Sequence, residues 1–95
     1  MNNYKIYLGT NDKDEHRKIK SNATIEKIID TLALDKFDGY TLTDAVGHYK
    51  KEREKTYVIE IITDDESNVK ALAEALKVAL NQNEILTTKT PIEII

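Results

Sequence analysis

The residues best suited to chemistry gather where His48 and Tyr49 run into six consecutive charges, Lys50 to Lys55. Lys50, Lys51, Arg53 and Lys55 are basic, with Glu52 and Glu54 between them, so the segment suits a small anionic ligand or a charged protein surface. Asp44 stands four residues before His48, on the same side of a strand, and a histidine beside a carboxylate can serve as a general base or a ligand contact. His16 with Asp12, Asp14 and Glu15 offers hard oxygen donors and one imidazole, a poor metal set, and no metal or cofactor is expected. The chain has no cysteine, nucleophile motif or glycine-rich phosphate loop, so no catalytic residue is assigned. The expected binding set is His48, Tyr49, Lys50, Lys51, Arg53 and Lys55. Six adjacent charges resist burial and contain no Asn-Gly turn, which predicts a mobile, projecting loop.

Those residues need a scaffold, and 95 residues suit one domain with a modest core that association would help to stabilise. A reducing compartment fits the absence of cysteine. The first residues turn polar too soon for a secretory signal and no apolar run reaches membrane-spanning length, so a cytoplasmic location without a membrane partner is expected. A net charge of −3 and a pI near 5.4 give no general attraction to polyanions, and nucleic acid is not expected as a partner.

Tyr4 to Gly9 alternates as a strand should, and the charged, aperiodic stretch Asn11 to Lys20 reads as an exposed loop. Ile25, Ile28, Ile29 and Leu32 make a helical stripe, with Ser21, Asn22 or Thr24 as its cap. Tyr40 to Val46 and the β-branched run Tyr57 to Ile62 form two strands of a hairpin. Val69, Leu72, Ala73, Leu76 and Leu80 make a second helix opened by Asp64, Asp65, Glu66 and Ser67. Glu84 to Lys89 is expected as the next strand, and Pro91 separates it from a short edge strand, Ile92 to Ile95. The order βαββαβ is ferredoxin-like: an α+β fold with two helices on one face of an antiparallel sheet. The open face would carry Lys5, Tyr7, Thr41, Thr43, Ala45, Val58 and Ile62. Its apolar members, Tyr7, Ala45, Val58 and Ile62, predict self-association through that face.

The stretch from Gly39 to Ile62 resembles PII-like and CutA-like proteins, with Gly39, Thr41, Thr43 and Gly47 in the places of a Gly-x-Thr-x strand that runs into a projecting loop. The resemblance implies a homotrimer, with a dimer as alternative, that binds a small effector between subunits near Gly47 to Thr56 and acts as a non-enzymatic regulatory module. Thr63-Asp64-Asp65-Glu66 stands where a phosphate-binding segment would be needed and would repel a nucleotide's phosphates. Three alternatives share the fold class: a protein-binding inhibitor or accessory protein, an RRM-like RNA-binding domain, and a dimeric α+β-barrel enzyme using His48, Tyr7 and Asp44. The RRM reading needs aromatics on the open face of both central strands, whereas alternation puts Tyr7 and Tyr57 on opposite faces.

Overall fold

The computed structural model describes all residues from Met1 to Ile95. Alternating apolar residues make β1 (Asn2–Gly9), whose inward side chains Tyr4, Ile6 and Leu8 are buried. In register, Tyr4 faces Ile61, Ile6 faces Ile59 and Leu8 faces Tyr57 of β5 (Glu52–Thr63), so the two strands present one continuous apolar surface. On it pack Ile25, Ile29 and Ala33 of α1 (Asn22–Lys36) and Val69, Leu72 and Leu76 of α2 (Glu66–Ala79). Ser21 caps α1 by accepting from the Thr24 amide at 3.1 Å, and Asp65 caps α2 by accepting from the Asn68 amide at 3.0 Å.

With β4 (Thr41–Tyr49) and β6 (Leu86–Pro91), the antiparallel sheet has the order β4-β5-β1-β6, and both helices lie on one face. This is the ferredoxin-like α+β arrangement expected from the sequence. The register also puts Tyr7, Ala45, Val58 and Ile62 together on the face the helices leave uncovered.

Three local expectations need correction. Asn11 to Lys20 is not wholly loop, since β2 (Asn11–Asp12) and β3 (Arg17–Lys18) pair as a small hairpin. The charged connector is not a loop either. Glu52, Arg53, Glu54 and Lys55 continue β5, paired with Tyr49, His48, Gly47 and Val46, and the turn is only Lys50 and Lys51. Both turn residues have positive φ, 51° and 66°, as a two-residue hairpin turn of the right twist requires. The charges alternate across an exposed ribbon, so none needs burial. Ile92 to Ile95 forms no strand, because Pro91 already faces Asn2 at the start of β1 and no strand remains beyond it to pair. The chain end is tied only by the Ile92 amide, which donates to the Met1 carbonyl at 3.1 Å.

Candidate functional site

Three of the five tyrosines are committed to structure. Tyr57 is fully buried and donates to Glu26 of α1 at 2.9 Å, and burial followed by that bond pushes its phenol up to about 12. Tyr40 donates to Asp30 at 3.0 Å and is likewise raised to about 12, again chiefly by burial. Tyr4 donates at 3.2 Å to Glu66, whose carboxyl is held below its ordinary range first by the Lys89 ammonium at 2.8 Å. Tyr7 and Tyr49 remain on the open side of the sheet.

Between them lies a cleft of about 510 Å³. Its floor includes three small residues, Gly9 at the end of β1, Gly47 of β4 and Thr56 of β5. Tyr7, Tyr49 and Glu54 rise from the sheet, His48 borders the rim, and the segment Gln82 to Leu86 forms the far wall. The β4-β5 ribbon overruns the end of β1 and reaches that wall, where the Tyr49 hydroxyl donates to the Glu84 carboxylate at 3.3 Å.

Glu54 is set by its neighbours. Its Oε2 accepts from the Asn11 amide at 3.0 Å, while Oε1 lies over Gly9 where a Cβ would stand only 2.5 Å away. A side chain at position 9 would displace the carboxylate. Thr10 donates to the Lys55 carbonyl at 2.7 Å and fastens the ribbon to the end of β1. Gln82, nearly buried, donates to the Asn11 carbonyl and fixes the wall to the same point.

A second recess of about 150 Å³ adjoins the first and shares Tyr49, Glu54, Gln82 and Asn83 with it. Lys13 and Lys50 add positive charge there, with His16 beside them, facing Asp12 and Glu52. Asp12 is locked: its carboxylate accepts from the Asn81 side chain and from the Asp14 and Glu15 amides, each at 3.0 Å. Those bonds, Asn81 first, hold the carboxyl below its usual value. No three His, Cys, Asp or Glu side chains converge as metal ligands.

The residues singled out in the sequence are dispersed by the ribbon. His48 and Tyr49 border the cleft, and Lys50 lies in the adjoining recess with its ammonium 5.4 Å from the Tyr49 ring centre. Lys51 is exposed at the turn and Arg53 faces His48 across the ribbon. Lys55 pairs with Asp44 at 3.2 Å and sits 5.2 Å from the Tyr57 ring centre, so Asp44 is engaged by lysine and not by His48. Sequence reasoning overlooked Glu54, Gln82, Asn83 and Glu84. Glu54 was hidden among charges, and its signal was the glycine at position 9, which matters only once the β1-β5 register is known.

No family model matches the chain, and no curated protein matches it by sequence. Solved structures do. A phage SAM lyase in complex with S-methyl-5′-thioadenosine superposes with a TM-score of 0.70 at 12% identity, over 94% of this chain and 79% of that one. A phage SAM lyase in the apo state gives 0.69 at 16% identity, over 94% and 78%. A DUF3240 family protein from Shewanella baltica OS155 gives 0.55 at 13% identity, over 99% and 92%. At these identities the likeness concerns the fold, which is the ferredoxin-like architecture read from the strand order.

Proposed function

We propose that this chain binds a sulfonium nucleoside of the S-adenosylmethionine kind in the open-face cleft and cleaves its carbon–sulfur bond. The observation that carries this reading is the lining of the cleft: two carboxylates, Glu54 and Glu84, two aromatic rings, Tyr7 and Tyr49, and no lysine or arginine. A cation over an aromatic face and near a carboxylate is attracted by both, whereas an anion would meet only repulsion there. The rings offer flat apolar surface to a purine, and the volume lies within the range of small-molecule sites. The structural similarity to a phage SAM lyase supports the choice of ligand. In the cleavage, the electron pair of the breaking bond goes to sulfur and leaves a neutral thioether, S-methyl-5′-thioadenosine. The carbon fragment is completed by losing a proton from the neighbouring carbon to the Glu54 carboxylate, or by closing on its own carboxylate.

Incubation of the protein with S-adenosylmethionine should release S-methyl-5′-thioadenosine, read by chromatography. Glu54→Gln, which keeps the shape and the acceptor for Asn11, should lower that rate by about a hundredfold. Absence of both binding and turnover in the native protein would end the reading.

A second reading, binding without turnover, is favoured by the Tyr49–Glu84 hydrogen bond that spans the cleft, because a ligand entering there must act on the ribbon. This is how the PII-like resemblance would operate, with the ribbon as reporter. Calorimetric binding with no product would select it. In either case, self-association through Tyr7, Ala45, Val58 and Ile62 is part of the proposal, since the cleft opens on the same face.

A further inference from the structure

The geometry points to a dedicated subsite for the amino-acid end of the ligand in the recess between the β2-β3 hairpin and the ribbon tip. This inference rests on the proposed nucleoside cleft. The recess adjoins that cleft and shares Tyr49, Glu54, Gln82 and Asn83 with it, so the two lie within reach of one extended ligand. Its volume of about 150 Å³ admits an amino-acid head and excludes a second nucleoside.

The charges have the matching pattern. Around the cleft itself there is no lysine or arginine, but in the recess Lys13, His16 and Lys50 supply donors for a carboxylate. Glu52 and Glu54 supply acceptors for an ammonium, while Asp12, the third carboxylate of the lining, is already engaged by Asn81 and the Asp14 and Glu15 amides. A zwitterion satisfies both sets, whereas a simple anion or cation satisfies one and is repelled by the other. His16 and Lys50 come from the turns of two different hairpins, whose geometry gives them φ of 58° and 51°. Both hairpins are tied to the body of the fold, the first through the Asn81–Asp12 hydrogen bond and the second through Thr10 and the Lys55 carbonyl.

The test uses two neutral thioether nucleosides that differ in the amino-acid end: S-adenosylhomocysteine carries it and S-methyl-5′-thioadenosine does not. Neither has a sulfonium leaving group, so both can be titrated calorimetrically. The native protein should bind S-adenosylhomocysteine at least about tenfold more tightly. A variant with Lys13→Ser, His16→Asn and Lys50→Asn should lose that preference while its affinity for S-methyl-5′-thioadenosine stays within about twofold. Asparagine tolerates the left-handed backbone at positions 16 and 50, and single Lys50→Asn serves if the triple variant does not fold. Equal binding of the two nucleosides by the native protein, or an equal loss of both in the variant, overturns the subsite and leaves the cleft standing. Failure of the native protein to bind either one overturns the cleft and the subsite together.

Discussion

Gly9 and Glu54 are one device written in two distant parts of the chain. The glycine leaves room for the carboxylate to lie across the end of β1, and the Asn11 amide holds it there. In Gly9→Ala the new Cβ meets only the movable end of the glutamate, so the fold should persist with a stability change within about 1 kcal/mol. The carboxylate must move, however, so cleavage of S-adenosylmethionine should fall at least about tenfold. A melting curve and an activity assay on the same preparation separate the two effects. A large loss of melting temperature, or full retained activity, would refute this account of the pair. Asp12 gives a second residue-level prediction. Its folded carboxyl titrates below the unfolded value of about 3.9, so its contribution is present above that value and disappears as pH falls through the folded one. Denaturant midpoints of the native protein and Asp12→Asn should differ at pH 7, and the gap should narrow as pH falls below about 4. A gap that widens on acidification would contradict the bonding from Asn81.

The β4-β5 ribbon is the element on which the site depends, and its turn is built from unfavourable residues. Lys50 and Lys51 both occupy the left-handed region that Asn-Gly fills at little cost. Replacing them by Asn-Gly should raise stability by about 1–2 kcal/mol, read as a shift in denaturant midpoint at constant slope. An unchanged or lowered midpoint would mean that the lysines contribute more to the fold than their backbone costs. The same turn marks the boundary of what was legible in the sequence. Alternation over Tyr4 to Gly9 and Tyr57 to Ile62, and the helical stripes beginning at Ile25 and Val69, each arise from burial on one face, and that regularity is visible along the chain. The ribbon tip has no buried face, so its pairing follows from the register of β4 against β5 and leaves no apolar signature. The cleft was hidden for a related reason. Tyr7, Glu54 and Glu84 come from three separate segments and meet only because β1 lies between β5 and β6.

The whole molecule leaves one side of its sheet without a layer. Helices cover Tyr57, Ile59 and Ile61, while on the opposite side Ile62 is 55% exposed and Leu86 64% exposed, with Tyr7, Ala45 and Val58 half-buried between them. A four-stranded sheet with apolar residues on its free face is stabilised by covering that face, and a second copy of the chain presents the same apolar surface. Association there would also border the cleft, which opens on the same side through Tyr7 and Leu86. Light scattering at micromolar concentration should therefore give a homo-oligomer, with a trimer expected from the PII-like resemblance and a dimer as the alternative. Val58 lies at the centre of the face, with Tyr7 on one side and Thr43 on the other. Val58→Asp puts a charge there and should produce a monomer that keeps its melting cooperativity, because position 58 takes no part in the buried core. If the oligomer shields the cleft, the monomer should also bind S-methyl-5′-thioadenosine more weakly. A native protein that is monomeric at these concentrations, or an oligomer indifferent to Val58→Asp, would show that the open face has another use.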